Sequence, residues 1–187
     1  MNIEIVSGSP RVSSLTRRVV LYLSKYLKET TDHNINIVDV RDWKLNVLQQ
    51  EVFRSVETAP LDLQPLVRRM FSADAFILVT PEYNGSYTPA LKTLFDHFPK
   101  QSHKTFGIVT ASPGALGGIR AGLQLQMLIY ALFGIGSPHM LITPTVEKKF
   151  DENGNLTDEV FRKNVEIFVT EFLWLAEHTT AEAEHHL

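Results

Sequence analysis

Short apolar runs alternate with segments of helical periodicity along the 187 residues, and this alternation restricts the possible folds more than any other feature. The runs Ala73–Thr80 and Lys104–Ala111 are almost continuously apolar, as strands buried on both faces are. Parallel strands need crossover connections, usually helices, and these crossovers are right-handed. The sequence therefore predicts an α/β protein with a doubly wound five-stranded parallel sheet and helices on both faces.

The predicted elements suit a flavodoxin-like sheet with the strand order 2-1-3-4-5. Strands are predicted over Asn2–Ser7, Asn34–Val40, Ala73–Thr80, Lys104–Ala111 and Pro138–Ile142. Helices are predicted over Ser13–Lys28, Leu61–Ser72, Thr88–Asp96, Gly118–Phe133 and Asp158–Glu177. Gly134 and Gly136 indicate the end of the fourth helix, and Asp42–Ala59 has no clear period. No linker or repeat divides the chain, so we predict one domain over residues 1–180 and a disordered tail over residues 181–187.

The composition narrows the classes of function. Apolar residues make up 44% of the chain and charged residues 21%, which is typical of a folded globular protein. A formal net charge of -3 argues against a nucleic-acid-binding surface, and no apolar run reaches the roughly 20 residues of a membrane helix. The absence of cysteine excludes disulfides, thiol catalysis and cysteine-ligated metals. No secretion signal is visible, so we expect a cytoplasmic protein with neither nucleic-acid nor membrane partners.

The loop after the first predicted strand carries groups that suit a phosphate. It reads Gly8-Ser9-Pro10-Arg11-Val12-Ser13-Ser14-Leu15-Thr16. It offers four hydroxyls, an arginine and the N–H groups of a helix start. The alternative is ordinary helix capping by Ser13 or Ser14 with a solvated Arg11. The loop matches neither a Walker A motif nor the dinucleotide-binding G-x-G-x-x-G.

Two further loops follow the third and fourth predicted strands. Pro81–Pro89 contains the turn signal Asn84-Gly85 and two tyrosines that could flank a flat ring. Ser112–Arg120 contains three glycines, which let the backbone approach a ligand closely. For each loop alone, a tight turn or simple flexibility is the alternative. All three loops should lie at the C-terminal edge of one sheet, where doubly wound folds bind ligands, so we expect a phosphate at the first and an aromatic ring at the others.

Together these segments resemble the NADPH-dependent FMN reductase family, which includes the small flavin, azo, quinone and chromate reductases. The resemblance runs from Met1 to about Ile142. It depends on Gly8-Ser9-x-Arg11-x-x-Ser14-x-Thr16, on Pro81-Glu82-Tyr83-Asn84-Gly85-Ser86 and on the Gly114–Gly118 loop. The chain departs from the family at Thr16, where Asn is usual, and at Pro113-Gly114, where Gly-Gly is frequent. Pro113 removes one backbone donor near the expected ring.

The resemblance implies FMN as the cofactor, with NADPH or NADH as the electron donor. The phosphate would be held by Ser9, Arg11, Ser13, Ser14, Leu15 and Thr16. The isoalloxazine ring would be lined by Pro81, Glu82, Tyr83, Asn84, Gly85, Ser112, Gly114, Gly117 and Gly118. FMN itself would carry the hydride transfer, so we expect no catalytic side chain. The histidines lack metal-ligand spacing, and we expect no metal.

The resemblance also implies a small-molecule acceptor, such as a flavin, a quinone or an azo compound, that is reduced in a ping-pong scheme. Family members are commonly dimers or tetramers. The helix Gly118–Phe133 is apolar nearly all round, so its surplus apolar surface is either covered by the last helix or forms a subunit contact; we expect a homodimer or homotetramer. Two other interpretations stay open: a flavodoxin-type electron-transfer protein without NAD(P)H activity, and a flavodoxin-like domain that has lost FMN.

Overall fold

A five-stranded parallel sheet in the order β2-β1-β3-β4-β5 forms the centre of the computed structural model, which describes residues 1–48 and 52–185. The strands are β1 (Asn2–Ser7), β2 (Asn34–Asp39), β3 (Ala75–Thr80), β4 (Thr105–Ala111) and β5 (Ile135–Thr143). The helices are α1 (Thr16–Thr30), α2 (Gln64–Ser72), α3 (Pro89–Asp96), α4 (Ile119–Ala131) and α5 (Glu159–His185). The predicted fold class and strand order are confirmed.

Two apolar cores, one on each face of the sheet, follow from the period of two along each strand. Ile3 and Ile5 of β1 face the side covered by α1 and α5, whereas Val6 faces α2, α3 and α4. The α5 side is closely packed at Gly107, where an added Cβ would lie 2.9 Å from Phe168 Cζ. Burying one such phenylalanine contributes about 1.5–3 kcal/mol, so the two cores supply the main stabilisation of the sheet.

The boundary between α4 and β5 differs from the prediction. α4 ends at Ala131 instead of Phe133, and Phe133 adopts a left-handed conformation with φ 60°. The N–H of Gly134 donates to Ile129 O at 3.0 Å, as in a Schellman ending with Phe133 in the position that glycine usually takes. Gly134 is required for another reason: a Cβ there would lie 2.4 Å from Phe106 Cε2.

β5 begins at Ile135, three residues before the predicted start. The sequence pattern predicts that Gly136 marks the end of the helix and that the strand starts at Pro138, yet both residues lie inside β5. Pro138 is tolerated because β5 is an edge strand with an irregular register opposite Phe106–Ile108.

Other boundaries also differ from the prediction, and α1 begins at Thr16 instead of Ser13 because residues 9–15 form a loop. α2 starts at Gln64, three residues later than predicted. α5 continues to His185, into the segment 181–187 that the sequence predicts as a disordered tail; residues 186–187 of that prediction lie outside the described residues. The single-domain division stays a prediction. No helix in the described part of the chain is both long enough and apolar enough to cross a membrane.

Candidate functional site

Three loops meet at the C-terminal edge of the sheet, after β1, β3 and β4. We call them the phosphate loop (residues 8–15), the turn loop (residues 81–88) and the glycine loop (residues 112–118). Thr88 joins the first two, since its hydroxyl donates to Gly8 O and accepts the N–H of Leu91 at 3.1 Å, which caps α3. The N–H of Gly8 also donates to Val79 O at 2.8 Å. These bonds hold the phosphate loop against the end of β3.

The phosphate loop contains hydroxyl and N–H groups that have no partner in the described part of the protein. Ser9 and Thr16 are each 2% exposed, and neither hydroxyl makes a hydrogen bond to another described residue. The backbone N–H groups of residues 11–15 likewise donate to none. Ser14 Oγ accepts the N–H of Arg17 at 3.3 Å, so this serine caps the first turn of α1. A cluster of unpaired donors at a helix start suits an anion.

Arg11 connects the phosphate loop to the turn loop. Its guanidinium carbon lies 5.0 Å from the centre of the Tyr83 ring, within the range of a cation–π contact. The side chain is otherwise exposed. Arg11 therefore lies in the phosphate loop with its hydrogen-bond donors exposed, as a phosphate ligand requires.

The buried acid Asp39 supports the phosphate loop through hydrogen bonds with two arginines. Asp39, at the end of β2, is 2% exposed and accepts from Arg17 Nη1 at 2.6 Å and from Arg41 Nη2 at 2.7 Å. Arg41 Nη1 in turn donates to Val12 O at 3.2 Å. Burial alone would raise the pKa of Asp39, but the hydrogen bonds and charge of Arg41, with the charge of Arg17, lower that pKa below its usual range. Asp39 thus holds the loop through two arginines.

The turn loop is a tight reversal around Asn84 and Gly85. Both residues have positive φ, 50° and 83°, and Tyr83 and Ser86 exchange backbone hydrogen bonds of 2.8 and 3.1 Å. Positive φ at both central positions defines a type I′ turn, for which Asn-Gly is the preferred pair. A Cβ on Gly85 would meet nothing within 4 Å, so the space above the turn is open.

The glycine loop needs two of its glycines for its shape. Gly117 and Gly118 have φ of 61° and 82°, and a Cβ on Gly117 would lie 2.8 Å from Pro144 N. Thr110 Oγ1 donates to Gly117 O at 2.7 Å and anchors the loop to β4. Gly114 N donates to Ser112 Oγ at 3.0 Å, whereas the N–H groups of Ala115, Leu116 and Gly118 donate to no described residue.

An ion pair spans the turn loop and the glycine loop. Arg120, in the first turn of α4, directs Nε and Nη2 at Glu82 Oε1, at 2.6 and 2.5 Å. The Glu82 side chain is 11% exposed and that of Arg120 is 65% exposed. This ion pair thus joins the turn loop to the first turn of α4, which directly follows the glycine loop.

The structure places all the predicted site residues at the C-terminal edge of the sheet, but these residues differ in what they contact. Ser9, Arg11 and Thr16 present donors, while Leu15 packs its side chain against the α1–α5 core and offers only its N–H. A larger group shapes the loops or ties them together: Ser14, Glu82, Asn84, Gly85, Ser112, Gly114, Gly117 and Gly118. Ser13 is exposed beside a hollow of about 350 Å³, and Pro81 and Tyr83 are half-buried at the end of β3.

Sequence reasoning missed three contributors, namely Asp39, Thr88 and Arg120. Arg120 had a signal, because it lies two residues after the Gly117-Gly118 pair and would face an acid on the neighbouring loop. The only sequence signal for Asp39 was its position at the end of a predicted strand, and the only signal for Thr88 was its position before a proline in the first turn of a helix.

The unpaired groups fit an FMN-sized nucleotide. The hydroxyls of Ser9 and Thr16, the unpaired N–H groups and an arginine at the phosphate loop suit a phosphate. The open turn and the free N–H groups of the glycine loop suit a flat ring with oxygen atoms at its edge. Within the described residues, no three acidic or histidine side chains gather as a metal ion would require.

Comparison with known proteins agrees with this geometry. The sequence model of the NADPH-dependent FMN reductase family matches residues 1–145. An FMN-dependent NADPH-azoreductase from Staphylococcus aureus (strain USA300) is 28% identical over 174 residues, 90% of this chain and 92% of that protein.

Among solved structures, a flavoenzyme NAD(P)H:(acceptor) oxidoreductase from Paracoccus denitrificans aligns with a TM-score of 0.74 at 21% identity, covering 95% of this chain and 98% of that one. A single-substitution mutant of flavodoxin from Pseudomonas aeruginosa aligns with a TM-score of 0.56 at 19% identity, covering 97% and 98%. At these identities the two structures establish the fold alone.

Proposed function

The chain belongs to the NADPH-dependent FMN reductase family, and from that premise we propose that it passes electrons from NADPH or NADH through bound FMN to a small aromatic acceptor. It is an FMN-dependent NAD(P)H oxidoreductase. The single observation that carries the proposal is that the hydroxyls of Ser9 and Thr16, two largely buried residues, have no partner among the described residues and lie beside a row of similarly unpaired N–H groups.

We assign the FMN phosphate to the phosphate loop. Ser9 and Thr16 would donate their hydroxyls, and the N–H groups of residues 11–15 would point at the phosphate oxygens with the favourable end of the α1 dipole. Arg11 would add a charged fork. Asp39 supports this assignment, because it keeps Arg17 and Arg41 in place behind the loop before any ligand arrives.

We assign the isoalloxazine ring to the turn loop and the glycine loop. When bound, FMN supplies the redox chemistry, accepting a hydride from the nicotinamide and passing two electrons to the acceptor. The N–H groups of Asn84 and Gly85 would orient one edge of the ring. Those of Ala115, Leu116 and Gly118 would stabilise negative charge that develops at the opposite edge. Pro113 cannot donate, so the acceptor-facing side of the glycine loop has one donor fewer.

No protein side chain needs to act as a general acid or base in this scheme. Glu82 lies in the turn loop, and its Oε1 is already paired with Arg120. One open face must serve the nicotinamide and the acceptor in turn, so we expect ping-pong kinetics. The azo compounds named for the Staphylococcus relative make an azo dye the first acceptor to assay.

A homodimer through α4 is part of the proposal. Ile119, Leu123, Met127 and Tyr130 recur at spacings of four, four and three, and are 38, 49, 66 and 69% exposed. α4 and α5 lie on opposite faces of the sheet, so α5 does not cover this apolar stripe. We expect Met127→Glu to convert a dimer to a monomer in light scattering, whereas a wild type that is already monomeric at micromolar concentration would contradict the proposal. The predicted cytoplasmic location stays a prediction.

A flavin spectrum with an anaerobic titration tests the function. The purified protein should bind FMN, and NADPH or NADH alone should bleach the absorbance of the bound flavin before any acceptor is added. Bound flavin that neither nucleotide bleaches would favour an electron carrier. Protein that stays colourless after incubation with FMN would favour a domain without the cofactor.

A further inference from the structure

Arg120 is oriented in a way that leaves half of its guanidinium available. Arginine has five N–H donors, and Nε and Nη2 direct one each at the same oxygen of Glu82. The other three N–H groups, two on Nη1 and one on Nη2, donate to no described residue. One N–H of Nη1 and the remaining N–H of Nη2 lie on the edge between the two terminal nitrogens, which a carboxylate can engage with both oxygens.

Glu82 holds the arginine in place without covering it. The carboxylate is 11% exposed, while the arginine side chain is 65% exposed. Gly118 packs close to Glu82, since a Cβ there would lie 3.6 Å from Glu82 Cβ. An arginine that is already oriented by a nearly buried acid loses less rotamer freedom when it binds a second anion than a freely moving one does.

The surroundings of Arg120 suit an aromatic anion. Leu116 and Ile119, on the glycine loop and at the start of α4, are 64 and 38% exposed and provide apolar surface within four residues of it in the chain. The other arginine at these loops, Arg11, contacts Tyr83 and is assigned to the FMN phosphate above. Arg120 therefore remains as a cation beside the expected ring, next to apolar side chains that a flat molecule can contact.

We propose that Arg120 binds an anionic substituent of the electron acceptor, so that the enzyme favours aromatic acceptors that carry a carboxylate or sulfonate over neutral ones. This inference rests on the proposed function. In it, Glu82 is a positioning residue that acts through Arg120, and it neither donates nor removes a proton in the reaction.

The test compares two acceptors that differ in one charge: an azobenzene carboxylate and the methyl ester of the same molecule. The ratio of kcat/KM for the acid to kcat/KM for the ester should fall about fivefold in Arg120→Gln, because a solvent-exposed charged contact contributes modestly. Arg120→Lys, which keeps the charge and loses the planar fork, should give an intermediate ratio. Arg68→Gln removes the same charge from the exposed face of α2 and should leave the ratio at the wild-type value.

Wild-type enzyme gives an independent check that needs no variant. Raising the salt concentration should increase KM for the carboxylate and have little effect on KM for the ester, because exposed charges are screened. Equal salt dependence, or an unchanged acid-to-ester ratio in Arg120→Gln, would overturn the inference. So would a shifted flavin midpoint potential with both acceptors slowed equally, since Arg120 would then act on the flavin. If neither acceptor is reduced and NADPH leaves the flavin oxidised, the proposed function itself fails.

Discussion

The phosphate loop and the two ring loops lie side by side at one sheet edge, yet they are held in different ways. The phosphate loop is supported by a buried acid, two arginines and a buried threonine. The turn loop and the glycine loop depend on positive-φ residues and on one ion pair whose arginine is exposed. We infer that the cofactor's anchor is built rigidly in advance, whereas the side that exchanges substrates is shaped by the backbone and left open.

The largest expected effect comes from filling a glycine of the ring loops. Gly117→Ala should destabilise the protein by about 3 kcal/mol, because its Cβ would collide with Pro144 N in a backbone conformation that alanine already disfavours. Gly85→Ala is the matched control, with positive φ but open space, and should cost about 1 kcal/mol. Urea denaturation measures both. Equal losses would show that the conformation, and not the close approach, controls the glycine loop.

Removing the charged group beside the phosphate loop should mainly affect cofactor binding. Arg11→Ala should weaken FMN binding by roughly 1.5–3 kcal/mol, about ten- to a hundredfold, because a charge-assisted hydrogen bond is lost. Quenching of flavin fluorescence during titration measures the affinity, and Arg11→Lys should retain part of it. Unchanged affinity would mean that Arg11 serves Tyr83 or the nicotinamide nucleotide instead.

Replacing the supporting acid tests whether the anchor depends on its network. Asp39→Asn should reduce stability by about 2 kcal/mol, less than for a fully buried pair because both arginines are partly exposed. It should also weaken FMN binding, since Val12 loses its support from Arg41. Asp96→Asn, which removes an exposed pair with Lys92, should cost less than about 0.5 kcal/mol. Similar losses in the two variants would contradict a special role for Asp39.

Asp39 should also give the protein a distinct acid response. Its pKa is lowered on folding, so its ionised form stabilises the fold fully above the unfolded value of about 3.9. That stabilisation is lost as the pH falls through the lower folded pKa. The stability gap between wild type and Asp39→Asn should therefore narrow as the pH falls below about 4, in denaturation measured at each pH. A gap that stays constant would place the effect of the substitution elsewhere.

The smallest expected effect separates binding from stability. Thr16→Val should lower FMN affinity by about 1 kcal/mol, the net contribution of one hydrogen bond, and leave the ligand-free stability nearly unchanged because the hydroxyl has no partner among the residues that the structure describes. Thr88→Val should instead reduce ligand-free stability by about 1 kcal/mol, since it removes a helix cap. Thermal denaturation with and without FMN distinguishes the two outcomes.

Local patterns were sufficient to predict the fold and the three loops. Alternating strands and helices lead to one sheet topology, and Asn84-Gly85 specifies its turn from two adjacent residues. The end of α4 could not be predicted, because Gly134 is required by contact with Phe106, which lies far from it in sequence. The pairs Glu82–Arg120 and Asp39–Arg17 likewise depend on how distant segments meet. Which residues hold the cofactor stays a prediction.

The hydroxyl of Thr88 contacts Gly8 and the start of α3 at once, and so links the strand ends to which we assign the two halves of the nucleotide. A movement of either the phosphate loop or the turn loop must strain the two hydrogen bonds of the Thr88 hydroxyl. Riboflavin carries the ring without the phosphate. It should therefore bind less well at the ring loops as well as at the phosphate loop, and not merely lack the phosphate contacts. Discrimination between the phosphorylated and dephosphorylated vitamin would then exceed what the phosphate contacts alone provide.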